Sequence, residues 1–119
     1  DHMKAENFFI NATNLDPNDA AAWFKLGEVK SDQGKYSEAK QAFLNSIKGK
    51  KRSSSYHLSF FVSFLVNQKY TYDAIVTFLD GEGISLSADQ KNIVDQAKVA
   101  EIKPSKKDVF SLKALMAFA

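Results

Sequence analysis

Apolar side chains recur along this chain at the three-and-four spacing that gathers them on one face of a helix. From Met3 to Leu15 the stripe is Phe8, Phe9, Ala12 and Leu15. Asp16-Pro17 ends it, because a proline disfavours helical backbone in the residue before it. Asn18 or Asp19 then offers a side-chain oxygen to a free backbone N–H and caps a second helix, which runs to about Gln33, where Gly34 stops it. Ser37 opens a third helix striped by Ala39, Ala42, Phe43 and Ile47. Ser54 to Gln68 is apolar around nearly its whole circumference, which predicts a helix buried on several sides. It is too short for a bilayer span of about 20 residues, and His57, Ser59 and Ser63 interrupt it. Tyr70 to Asp80 forms a fifth helix, broken by Asp80-Gly81-Glu82-Gly83. Ser87-x-x-Gln90 has the spacing of a reciprocal cap and opens a sixth helix to about Ile102, with Ile93, Val94, Ala97 and Ala100 as its apolar positions. Lys103-Pro104 stops that helix, and Ser105 caps a last one, Lys106 to Phe118, carrying Val109, Phe110, Leu112, Leu115, Met116 and Phe118.

Within the second and third helices, Trp23, Leu26 and Gly27 are followed by Gly34 and Tyr36 at the turn and by Ala39 and Phe43. Ala74 and Phe78 follow Ala39 and Phe43 by 35 residues, while Ala5 and Phe9 precede them by 34. Trp23-x2-Leu26-Gly27 and Ala39-x3-Phe43 resemble the tetratricopeptide repeat, a helical hairpin of about 34 residues signed W-x2-L-G-x2-Y, A-x3-F and P. Lys30 stands in place of the signature Tyr and Lys51 in place of the closing Pro. The resemblance implies an all-α fold of antiparallel hairpins stacked in a right-handed superhelix, with about seven helices in all.

On this reading residues 1–3, Asp-His-Met, are a cloning scar, and repeats occupy 4–80: a half repeat at 4–17, a full repeat at 19–52 and a degenerate repeat at 53–80. Residues 81–119 form a degenerate repeat or a pair of capping helices, since an outermost repeat must shield a core that a neighbour would otherwise cover. An opening half repeat suggests a segment excised from a longer array. In the degenerate repeat His57 takes the place of the Trp, which favours a packing role, and Phe61 takes the place of the Gly. A phenylalanine there should push the two helices apart or change their crossing angle. The 35-residue interval implies one inserted residue in the Asn67 to Tyr72 turn.

Composition narrows function more by exclusion than by pointing. Sixteen basic against 14 acidic side chains give a net charge of +2, so an electrostatic partner has to be argued from local clusters. The basic cluster of Lys48 with Lys50, Lys51 and Arg52 reads as a solvated connector between helices, and nucleic-acid binding is not expected from so few charges. No cysteine is present, which excludes disulfides and thiolate chemistry and leaves the compartment unread. The glycines at 81 and 83 match neither a phosphate-binding nor a calcium-binding loop. No nucleophile activated by a histidine, no metal set and no phosphate cradle can be assembled, so no catalysis, cofactor or metal is expected.

The expected function is therefore a scaffold that binds a peptide or a segment of a partner protein, as the resemblance implies. A module for homo-oligomerisation or for packing within a parent chain is the alternative. By the repeat alignment the groove face carries Phe24 and Glu28, then Leu58, Val62 and Leu65. The lysines and asparagines with which chaperone adaptors of this family hold an acidic tail are missing from those places, so no tail binding is expected. An open apolar strip would forgo about 1.5–3 kcal/mol per buried side chain, so the last helix, 109–118, is expected to cover it.

Overall fold

The computed structural model describes residues 1–48 and 55–102, which form six α-helices and no strand. In chain order these are α1 (His2–Leu15), α2 (Ala20–Asp32), α3 (Tyr36–Lys48), α4 (Ser55–Asn67), α5 (Tyr72–Gly81) and α6 (Ala88–Ile102). The basic connector and the expected last helix lie outside the described residues.

The helix ends sit where local chemistry puts them. Asp1 caps α1 by accepting from the Met3 N–H at 3.0 Å, and Asp16, held extended at φ −138° and ψ 91° before Pro17, ends it. Of the two candidate caps for α2, Asp19 is the one used, its Oδ1 accepting from the Ala22 N–H at 3.1 Å. Gly34 follows α2 with φ +76°, and the Gly34 and Lys35 N–H groups return to the carbonyls of Ser31 and Lys30. Ser87 and Gln90 exchange the two hydrogen bonds of a reciprocal cap, at 2.9 and 3.2 Å. The turn after α4 repeats the bonding pattern of the turn after α2, but Lys69 holds the left-handed place, with φ +71°. Gly34 and Lys69 precede Phe43 and Phe78 by the same number of residues, so the extra residue of the longer interval lies before Lys69.

One core runs through α2 to α6, with Phe43, Phe61, Leu65 and Ile75 fully buried at its centre and Val94 and Ala97 of α6 at its far end. In the hairpin α2–α3 the two backbones approach closely along their length. Gly27 makes this possible: a Cβ added there would lie 2.6 Å from ring carbons of Phe43. The hairpin α4–α5 is splayed, and α4 packs instead between α3 and α6. Phe61 opposes the Phe78 ring at 6.2 Å, edge to face, where Gly27 opposes Phe43. The wedge expected of a phenylalanine in the glycine's place is thus observed. Ala39 is fully buried at a close helix crossing, whereas its counterpart by spacing, Ala74, is exposed, because the wedge holds α5 away from α4.

Candidate protein-binding surface

The side chains that carry the resemblance in α2 and α3 pack within the hairpin or tie down its ends. Trp23 is half-buried and its Nε1–H donates to the carbonyl of Pro17 at 2.8 Å, tying α2 to the turn that precedes it. Leu26, Ala39 and Phe43 fill the interior of the hairpin, and Tyr36, nearly half exposed, starts α3.

The five groove candidates separate into two groups. Phe24, Leu58, Val62 and Leu65 are all buried, so the apolar strip of the repeat alignment is covered. Phe24 stacks on the imidazole of His57 at 4.7 Å, with Phe60 and Tyr56 at 4.9 and 5.6 Å. Val62 shares a small hollow with Gln96 and Ala97 of α6. Within the described residues, then, α6 is what covers α4; the last helix, expected to do so, lies outside them. Glu28 stays half exposed and pairs with Lys25 at 3.2 Å. What faces water here is Tyr56, 63% exposed, with Lys25, Glu28 and the edges of His57 and Phe60 around it.

Burial pushes the His57 pKa below its usual value, and the nearby Glu28 carboxylate acts in the opposite sense. An imidazole stacked on a buried phenylalanine loses hydration that its charged form needs. The packing role read from its repeat position is what the geometry gives. No group of three or more His, Cys, Asp or Glu side chains poised for a metal occurs among the described residues. No helix among them is long and apolar enough to cross a membrane.

Pattern reading missed a cluster of charges at the meeting of α1, α2 and α3. Lys30, in the place of the signature Tyr, has 11% of its side chain exposed and pairs with Glu6 of α1, itself 13% exposed. Glu38 stands 3.5 Å from the same ammonium. The second oxygen of Glu6 accepts from Gln33 Nε2 at 2.9 Å, and Lys35 lies 3.5 Å from the first. These donors, Lys30 first, hold the Glu6 pKa down at about 2, and the Glu6 hydrogen bond raises that of Lys30. A lysine on an apolar helix face was the signal available; its partner 24 residues upstream was not.

A tetratricopeptide-repeat family model matches residues 8–41, from α1 through α2 into α3. Repeats of this family generally mediate protein–protein interactions and are typically non-enzymatic scaffolds. No match was found among curated proteins or solved structures.

Proposed function

Starting from the tetratricopeptide repeat that this chain carries across residues 8–41, we propose that it is a non-catalytic scaffold that binds a segment of a partner protein. The repeat match is the observation that carries this reading. The contact surface we assign is the α2–α4 face centred on Tyr56, with Glu28 and Lys25 at its side. Tyr56 offers a large ring already held against Phe24, so little side-chain entropy remains to be lost on binding. Phe24 and Phe60 serve as the floor that fixes this face. Glu28 would repel a terminal carboxylate, so acidic chaperone tails are not its ligands.

Selection of a displayed random-peptide library against the chain tests the reading, with amide chemical shifts used to place each selected peptide. Enrichment of peptides whose shifts cluster on α2 and α4, and whose binding falls in Tyr56→Ala, is expected. A library yielding no binder, or shifts scattered over all helices, would sink it.

A second reading rests on α1, where Met3, Phe8 and Leu15 are 70, 68 and 88% exposed. Such a face suits self-association or packing against other helices of a parent chain. Sedimentation velocity separates the two: a monomer over a hundredfold range of concentration leaves self-association without support.

A further inference from the structure

Splaying of the hairpin α4–α5 opens a cleft of about 350 Å³ between α3, the end of α4 and α5. Its lining is half aromatic and aliphatic, from Tyr36, Leu44, Phe64, Tyr70 and Phe78, and half polar. Lys40 of α3 reaches across it. The Nζ donates to the Tyr70 hydroxyl at 2.6 Å and lies 4.2 Å from the centre of the Phe78 ring and 4.9 Å from that of Tyr70. Lys40 is half-buried, yet no carboxylate of the described residues forms an ion pair with it. Glu82 lines the same cleft, but its carboxylate is held by Lys48 at 3.0 Å.

Ring faces favour the ammonium but accept no directed hydrogen bond of the strength a carboxylate gives, and the tyrosine hydroxyl uses only one of three N–H donors. The Gln41 and Gln68 side chains, which also line the cleft, are neutral. A positive group is thus held by neutral groups in an opening of mixed apolar and polar lining whose volume suits one or two side chains. We propose that this cleft is a peptide-binding site for an acidic side chain followed or preceded by a large apolar one: the carboxylate meets Lys40, and the apolar neighbour lies on Tyr36, Leu44 and Phe64. The site rests on the reading of the chain as a peptide-binding scaffold for the nature of its ligand, but it uses a surface distinct from the one around Tyr56. Charge complementarity selects this occupant over a basic peptide, which would have to approach Lys40 without compensation.

The test uses the full chain and an array of short peptides, each holding one Asp or Glu beside Leu, Ile, Phe or Tyr, paired with its Asn or Gln analogue. Acidic members should bind at least about tenfold more tightly than their amide analogues, the factor expected of one charge-assisted hydrogen bond. Lys40→Met should erase that preference, Lys40→Arg should keep most of it, and Tyr36→Ala should weaken binding of both members of a pair. Thermal unfolding of each variant, together with its retained binding to peptides selected on the Tyr56 face, separates a lost site from a lost fold. No binding by any member, no preference for acid over amide, or a preference that survives Lys40→Met overturns the proposal. Loss of binding in Tyr56→Ala but not in Lys40→Met would also overturn it, while leaving the α2–α4 face as the scaffold's site.

Discussion

Two hairpins of this chain share a turn geometry and the Ala-x3-Phe spacing, and only one of them closes. In α2–α3 a glycine lets the Phe43 ring lie against the neighbouring backbone, and Phe43 and Ala39 are both fully buried. In α4–α5 the ring of Phe61 occupies that space, Phe78 is only half-buried and Ala74 faces water. The difference teaches that the repeat's second-helix residues do not by themselves bring two helices together. A close crossing needs room on the facing helix, and one ring is enough to remove it. The apolar surface that α4 would have given to α5 is covered by α3 and α6 instead.

If burial follows closure in this way, truncating the equivalent phenylalanines should separate the hairpins most. Phe43→Ala removes a ring packed against Phe24, Phe60, Phe61 and Phe64. It should cost about 3–5 kcal/mol in a denaturant titration. Phe78→Ala should cost clearly less, and equal losses at the two positions would contradict the comparison. Gly27→Ala comes next. Helix propensity alone would favour the change by about 1 kcal/mol, but the new Cβ would meet a ring with no free space behind it. A net loss of about 1–3 kcal/mol is expected, and Ala39→Leu at the same crossing should fall in the same range. A neutral or stabilised Gly27→Ala would mean that the ring gives way and that closure is softer than argued.

Acid titration separates the two halves by pH instead of by mutation. His57 sits between α2 and α4 with a lowered pKa, so the unfolded chain takes up a proton first. The stability this gives is complete above about pH 6.5 and is lost as pH falls through the folded value. Glu6 joins α1 to α2 with its pKa lowered from 4.5 to about 2, so its contribution persists to lower pH and disappears between those two values. The unfolding midpoint should therefore decline in two stages, the first absent in His57→Phe and the second absent in Lys30→Met. A single decline in the wild-type chain, or one untouched by either substitution, would show that these groups are not linked to folding.

The smallest effect belongs to the turns. Lys69 adopts φ +71° where Gly34 adopts φ +76°. Left-handed backbone costs a residue with a Cβ about 1–2 kcal/mol, part of which is offset by glycine's greater freedom in the unfolded chain. Lys69→Gly should thus stabilise by up to about 1 kcal/mol and Gly34→Ala should destabilise by a similar amount. Opposite signs at the two turns are the result to look for in their unfolding midpoints.

Helix ends were readable within the described residues because they depend on neighbours in sequence. Asp16-Pro17, Asp19, Gly34 and the Ser87–Gln90 pair each act over a few residues and carry their meaning in the side chain. The wedge at Phe61 was readable as well, since the repeat gives its position and the ring gives its size. The faces of α4 were not. Leu58, Val62 and Leu65 fall along a groove by alignment, but a helix apolar on all sides does not say which side a neighbour takes, and α6 packs against α4. The Lys30–Glu6 pair was hidden because it joins residues from separate helices, and Lys69 because nothing in a lysine announces a left-handed turn.

The lysine at position 30 makes the boundary between α1 and α2 an address. An aromatic side chain there could lie against an apolar partner of many shapes and would ask for no particular charge. A nearly enclosed ammonium is not so permissive: it requires an acid from the preceding helix at the place Glu6 now holds, with Glu38 and Gln33 disposed around it. A graft of some other repeat ahead of Ala20 would have to bring that acid along, and one that brought a leucine would strand a charge inside the joint. The same residue that departs from the family's signature thus fixes which neighbour this repeat accepts.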